Sequence, residues 1–366
     1  MEKYLRGLIL LLLLVSIGLG GCGEEDAVAP TKQSEEKQQS EEKGSSEIDP
    51  KELRTSLLNH TTLVPLGDVP IPEDNPMTPE VLELGQTLFF DPRLSGNNEV
   101  SCATCHDPNQ GYGDAQRTFT MYNGGYGKRN SPTVINAGYY TANFWDGRAA
   151  SLEEQALGPI ENPDEMNQPL PELISELKTV KGYDEQFNAA FGNGITVQNI
   201  AKALAAFQRQ IVVKDTSYDR FLRGDSEALT NQEIRGLDLY TGKALCVTCH
   251  NGPNLSDNNY YNIGLNTEDE GRFAVTGDPK DLGRIRTPSL YAITHTAPYM
   301  RDGSLETLEE VIDYYDRGGD DHPNKSFFMK QFMEPIGLTN QEKEDLLAFL
   351  KTLGGKPPVF TKPEHP

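Results

Sequence analysis

A mainly α-helical protein made of two tandem copies of one small domain is what this chain predicts, on three observations. A cysteine–histidine pentapeptide occurs twice, at Cys102-Ala103-Thr104-Cys105-His106 and at Cys246-Val247-Thr248-Cys249-His250. Other stretches recur downstream of each pentapeptide in the same order. Apolar residues at helical spacing open and close each half, whereas the alternating runs that read as strands are scarce.

Before the first copy, Lys3 and Arg6 precede an apolar run from Leu8 to Val15 and the segment Leu19-Gly20-Gly21-Cys22. Positive charge, a short apolar core and a small-residue cleavage site make an export signal, and the run is short for a membrane span. A cleavage site ending in cysteine resembles a bacterial lipobox, which implies a lipid on Cys22. The alternative is a plain secretory signal, which would leave an unpaired thiol. Gly23, rather than aspartate, after that cysteine favours the outer membrane where a cell has two. From Gly23 to about Asp49 the chain is Glu, Lys, Gln and Ser with few apolar residues, which cannot bury enough surface to fold and reads as a tether. The expected division is residues 1–21 signal, 22–55 lipidated cysteine and flexible acidic tether, 56–222 first copy and 223–366 second copy.

The helical signals come in pairs. In the first copy Thr78 caps, Pro79 sits at the first helical position, and Val81, Leu82, Leu84, Leu88 and Phe89 give an apolar face; in the second, Thr230 begins a run with Ile234, Leu237 and Leu239. Each half closes with a further helix, expected over 197–212 and 340–353, containing Leu204-Ala205-Ala206-Phe207 and Leu346-Leu347-Ala348-Phe349; Gly354 reads as a stop.

The pentapeptide carries the chemistry. Cys-x-x-Cys-His is the attachment pattern of c-type haem, in which both thiols bond the macrocycle and the histidine ligates iron. A structural zinc ribbon is the competing use of paired cysteines. It would hold its pairs roughly 15–20 residues apart, and a histidine after each pair would be superfluous. The pairs here lie 144 residues apart, and four of the five cysteines belong to them. The fold class is therefore mainly α, with two tandem cytochrome c-like domains, each carrying one covalently bound haem. Cofactor attachment falls to Cys102, Cys105 and His106 in the first and to Cys246, Cys249 and His250 in the second. Export fits, since bacterial haem attachment takes place outside the cytoplasm.

The duplication supports a further comparison. Asp146-Gly147-Arg148-Ala149-Ala150-Ser151-Leu152-Glu153-Glu154 matches Asp302-Gly303-Ser304-Leu305-Glu306-Thr307-Leu308-Glu309-Glu310, and Arg129-Asn130-Ser131-Pro132-Thr133 echoes Arg284-Ile285-Arg286-Thr287-Pro288-Ser289 with one insertion. Thirteen residues past each Asp-Gly aspartate stand Pro159 and Tyr315. Proline offers no ligand, whereas a phenolate binds ferric iron. If the position faces iron in both copies, the first haem is open and the second capped. The alternative for Tyr315 is a core aromatic on a helix over 305–315.

Leu88-Phe89-Phe90-Asp91-Pro92-Arg93-Leu94-Ser95, the first pentapeptide, Arg129-Asn130-Ser131-Pro132-Thr133, Phe144-Trp145-Asp146-Gly147-Arg148-Ala149 and Gly158-Pro159-Ile160-Glu161-Asn162-Pro163-Asp164-Glu165-Met166 together resemble the bacterial di-haem cytochrome c peroxidases, from about Pro79 to Gly354. The resemblance implies a peroxidatic first haem on His106, with Glu165 moving a proton between peroxide oxygens and Gln155 and Pro159 lining the same pocket. It implies that Trp145 relays electrons from the second haem on His250. It also implies a calcium ion between the domains, held by Asn130 and the carbonyls of Thr296 and Pro298. The implied partners are hydrogen peroxide and a small redox protein, either a c-type cytochrome or a copper protein; the family is often dimeric.

Two departures refine the expectation. Members that need reductive activation carry a histidine shortly before the Arg-Asn motif, whereas residues 117–128 contain none and Tyr122 stands near that place. The usual methionine ligand of the second haem aligns with Tyr315, as in the MauG-like branch, which oxidises a partner protein. Met300 is the rival ligand, although the duplication pairs it with Phe144, a wall position. Peroxide reduction with a redox-protein donor is the first reading, MauG-like oxidation of a protein or organic substrate the second, and a non-catalytic carrier or sensor the third.

A net charge of −22 argues against nucleic acid and anionic lipid as partners and suits a basic protein. Of the remaining histidines, His60 and His365 are expected in solvent, His295 near the calcium loop, and His322 without a role.

Overall fold

The computed structural model describes residues 49–265, 268–332 and 334–366. The export signal, Cys22 and residues 23–48 of the tether lie outside the described residues. Seven helices position the site: α1 (Pro50–Leu58), α2 (Pro79–Phe89), α3 (Leu152–Glu161), α4 (Val197–Arg209), α5 (Asn231–Thr241), α6 (Leu308–Asp316) and α7 (Asn340–Lys351). The named strands, β1 (Tyr260–Tyr261) and β2 (Ile285–Arg286), form one short antiparallel pair. No helix among the described residues is long and apolar enough to cross a membrane.

Each copy is built on one helix crossing, α2 on α4 and α5 on α7. Capping starts all four: Thr78, Thr196, Thr230 and Thr339 each accept a backbone N–H of the first turn, which satisfies a donor the helix cannot. Both crossings pass through a glycine. A Cβ on Gly85 would lie 2.1 Å from the Ala203 carbonyl oxygen and 2.8 Å from Cβ of Phe207. A Cβ on Gly236 would lie 2.0 Å from the Asp345 oxygen and 2.7 Å from Cβ of Phe349. The two backbones touch at the same point of the same motif, so the duplicated sequence has a duplicated geometry.

The connecting segments repeat as well. Phe144 and Met300 both take left-handed backbone (φ 66° and 72°), as do Gly147 and Gly303, and single bridges close the same turn at Asn143–Ala149 and Tyr299–Leu305. The second bridge explains why α6 begins at Leu308 and not at 305. The backbone stays extended until Thr307, whose hydroxyl takes the Glu310 N–H. At the end of α4 the Ile211 carbonyl is taken by the Asn136 N–H and the Val213 N–H by the Asn136 side chain, so the helix stops at Arg209.

Two further expectations change. Residues 50–55, drawn into the tether, are ordered as part of α1. Asp49 caps it, Pro50 opens it, and Leu53 and Leu57 are buried against the second copy. Arg54 reinforces the contact by donating to the carbonyls of Ser226 and Leu229. The proline-rich stretch after α7 lies back across the first copy: Tyr112 donates to the Pro358 carbonyl at 2.8 Å, Phe360 packs on Phe207 at 5.2 Å, and His365 Nε2 lies 3.2 Å from the Phe90 carbonyl. His365 is therefore part-buried, because its segment covers apolar surface that the helices leave open. His60 is part-buried too and shares a hydrogen bond with Thr62. The main core cluster runs from Leu53 to Leu353 through both copies, beside a small one of Ala137, Leu152 and Ala205.

Gly236→Ala should cost roughly 1–3 kcal/mol, the usual penalty for overpacking, while Gly67→Ala, with open space around its Cβ position, should fall within about 0.5 kcal/mol of wild type. Denaturant melts of the two variants test this, and equal midpoints would contradict the crossing.

Candidate active site

The first pentapeptide begins with a short helical turn, Cys102–Cys105, whose Ser101 N–H is taken by the Thr104 hydroxyl at 3.0 Å. The chain then passes through two left-handed residues, Gly111 and Tyr112. Gly111 is required there, since a Cβ would lie 2.2 Å from the His295 carbonyl oxygen of the second copy. The turn aims the Tyr112 carbonyl at His106, whose Nδ1 lies 3.1 Å away. In the second copy Leu255 is also left-handed, and His250 Nδ1 is shared between the carbonyls of Leu255 at 3.2 Å and Pro288 at 3.0 Å. Burial lowers the proton affinity of both imidazoles below the usual histidine value, so each is neutral, donates from Nδ1 and presents Nε2 as a lone pair.

Those features fit haem. A metal-bound histidine characteristically donates its second nitrogen to a backbone carbonyl, and both rings do so. Burial pushes all four motif thiols up to about 12, which keeps them as uncharged sulfhydryls. Among the described residues no three or more His, Cys, Asp or Glu side chains converge as a metal cluster, so the two cysteine pairs do not build a zinc site.

Two adjoining cavities with about 850 and 580 Å³ of open space share Cys105, His106, Gln155, Pro159 and Glu165 as walls. Gln155 and Pro159 come from α3, and Glu165 from the turn that follows. That turn is closed by the Met166 N–H on the Pro159 carbonyl and the Glu165 N–H on the Asn162 carbonyl. The Gln155 Oε1 atom is buried without a partner. Burial raises the proton affinity of Glu165 above the ordinary carboxylate value. The Asn162 amide, donating to Oε1 at 2.6 Å, and the charge of Arg148 pull the other way.

Trp145 also lines the cavity, with its indole N–H on the Asn130 carbonyl at 2.9 Å. Asn130 is buried beside the 296–303 loop through its own N–H on the Arg301 carbonyl at 2.7 Å. Thr296 and Pro298 lie on that loop and outside the cavity.

Pro159 and Tyr315 fall seven residues after the first residue of α3 and of α6, so the helices place them equivalently. Burial above all raises the Tyr315 phenol far above its usual value, with Tyr314, Cys249 and Cys246 acting in the same direction. Met300 keeps the backbone of the wall residue Phe144. Tyr122 hangs from the Asp164 carbonyl at 2.8 Å and does not enter either cavity; Phe119 does.

Among the cavity residues that sequence reasoning did not assign to the site are Phe119, Arg148, Gln208 and Arg286. Arg148 sits inside the duplicated Asp-Gly stretch and could have been found as the point where the copies differ. Gln208 reads as an ordinary helical position, and Arg286 comes from the other copy, which no local pattern reveals.

The arrangement defines a class: a duplicated c-type haem protein with a roomy site beside its first pentapeptide and a carboxylic acid in it. The family model for di-haem cytochrome c peroxidase matches residues 79–227, and that for cytochrome c matches residues 233–354. Methylamine utilization protein MauG of Methylorubrum extorquens is 41% identical over 303 residues, covering 81% of this chain and 85% of that protein. Cytochrome-c peroxidase IdrP1 of Pseudomonas sp. is 38% identical, covering 82% of this chain and 88% of that one. The crystal structure of a MauG-like protein associated with microbial copper homeostasis superposes with TM-score 0.72 at 36% identity, over 81% of this chain and 94% of that one. The chain belongs to the di-haem cytochrome c peroxidase family. It is an oxidoreductase of the peroxidase type, with two haems.

Asn162→Ala removes a hydrogen bond that favours the Glu165 carboxylate, so the protonation midpoint of Glu165 should move further up. Infrared titration of the carboxyl band, with Glu165→Gln as the blank, reads the shift; an unchanged midpoint would break the link.

Proposed function

We propose that this protein reduces hydrogen peroxide to water at the haem of the first copy, drawing two electrons per peroxide through the second copy from a small redox protein and taking two protons from solvent. The observation that carries the reading is the cavity that brings Glu165, Gln155 and Pro159 together with His106, while Tyr315 takes the helical position of Pro159 in the second copy. Haem iron on His106 supplies the centre at which the peroxide oxygen–oxygen bond breaks. Glu165 takes the proton from one peroxide oxygen and delivers it to the other, so that the departing oxygen leaves as water. Gln155 and Pro159 bound the space in which peroxide sits without offering a competing ligand. Trp145, held through its indole N–H and its carbonyl, is the aromatic relay between the copies. Tyr315 would hold the second haem together with His250, offering a phenol oxygen to it.

A second reading is MauG-like oxidation of a specific protein or organic substrate. The oxygen donor at Tyr315, where the family's methionine would stand, favours it. An anionic oxygen lowers a haem's potential and makes the centre harder to reduce with a high-potential donor. Calcium between the copies is part of the same proposal. The Asn130 amide gives its N–H to the Gln116 carbonyl, which leaves Oδ1 for a cation that takes neutral oxygens. We also propose attachment on the periplasmic side through a lipid on Cys22, and Cys22→Ser should then release the protein into the soluble fraction.

Stopped-flow spectra of the fully oxidised holoprotein after one equivalent of peroxide separate the readings. Direct reaction supports the MauG-like form, reaction only after half-reduction supports the donor-dependent peroxidase, and inertness in both states excludes either. Glu165→Gln should slow peroxide decay by about 10²–10⁴ with haem content unchanged. Because the carboxylate must be ionised to accept a proton, the wild-type rate should fall as pH drops through the raised Glu165 value; the variant should lose that limb. Tyr315→Phe should change the low-spin spectrum, and an identical spectrum would return the ligand to Met300.

A further inference from the structure

We propose that Arg286, a residue of the second copy, binds a propionate carboxylate of the haem held by the first copy. Arg286 lies on β2 and reaches into the cavity that contains His106 and Trp145. Only 6% of the residue is exposed. Its backbone N–H is fixed on the Trp145 carbonyl at 2.8 Å, and its guanidinium lies on the Tyr140 ring at 3.3 Å. That ring is itself held, because the Tyr140 hydroxyl accepts the Ser289 N–H at 2.7 Å. One guanidinium nitrogen donates to the Thr287 carbonyl at 3.2 Å, while Nε is buried with no partner.

The charge is what needs an explanation. Three arginines are buried among the described residues: Arg209 pairs with Glu153 at 2.7 Å and Arg301 with Asp269 at 3.7 Å. Arg286 has no carboxylate within ion-pair distance among the described residues, and the other cavity arginines, Arg129 and Arg148, are taken by Asp146 and Asp269. A buried cation without an anion is strongly disfavoured, and a face on tyrosine offsets only part of that cost. The group missing from the pair is therefore a carboxylate that arrives with the cofactor, and haem carries two. The planar guanidinium suits a carboxylate through two parallel N–H bonds. In the first copy the equivalent residue is Asn130, so only one haem receives this charge. The inference rests on the two haems of the family and not on the peroxide reaction.

The test uses Arg286→Gln and Arg286→Lys in the holoprotein, read by resonance Raman spectroscopy of the propionate bending band and by potentiometric titration of each haem. Arg286→Gln should shift the band of the first haem. It should also lower that haem's midpoint potential, because losing a neighbouring cation favours ferric iron, and make the potential vary with pH as the carboxylate titrates. Arg286→Lys should keep most of the potential while still shifting the band. An unchanged band and potential in Arg286→Gln, or changes confined to the second haem, would overturn the assignment. Should that variant fail to take up haem, the band of Arg286→Lys decides: a shift supports the contact and its absence refutes it.

Discussion

Two reciprocal hydrogen bonds across the seam between the copies hold the site together. Asn130 of the first copy gives its N–H to the carbonyl of Arg301, and Arg286 of the second gives its N–H to the carbonyl of Trp145. By the duplication Asn130 corresponds to Arg286 and Trp145 to Arg301, so the seam is a pseudo-two-fold exchange of one bond for its copy. A net contribution of about 1 kcal/mol each is modest. Their weight lies in register: they fix the position of Trp145 and bring Arg286 into the first cavity. Around them Arg129 spans Asp146 of its own copy and Asp269 of the other, at 2.7 Å to each. Buried pairs of this kind add little net stability but penalise any other arrangement, because breaking one costs about 3–5 kcal/mol.

On this shared frame the two sites differ by single substitutions. Proline in one copy and tyrosine in the other occupy one helical position, which changes the side chain offered there without changing the helix that carries it. Tyr112 and Leu255 both use left-handed backbone to turn a carbonyl toward the histidine. Only Tyr112 has a hydroxyl that extends to the segment after α7. The side chains differ between the copies while the glycine-centred helix crossings stay the same.

The helices were legible in the chain because capping and periodicity are local: Thr78, Thr230 and Thr339 mark starts that the backbone obeys. Glu165, Gln155 and Pro159 came as a group from the family resemblance, and the cavity brings them together because they lie on one helix and the turn after it. The first helix was not read at all, because its opening residues 50–55 were drawn into the tether. The Asp49-Pro50 start and the Leu53, Leu57 pair are short signals beside a long polar stretch, and their partner, α5, lies far along the chain. His365 was misread for the same reason, since its burial depends on surface contributed by the first copy.

The chain alone determined the two haem-attachment pentapeptides, the duplication and the helical class, since each follows from neighbouring residues or from repetition. Only the tertiary structure decided which residues of one copy enter the cavity of the other, as Arg286 does, and which backbone carbonyls hold the two imidazoles. Those choices depend on contacts between positions far apart in sequence, and burial, which shifts the proton affinities of Glu165 and of the four thiols, exists only once the chain has folded.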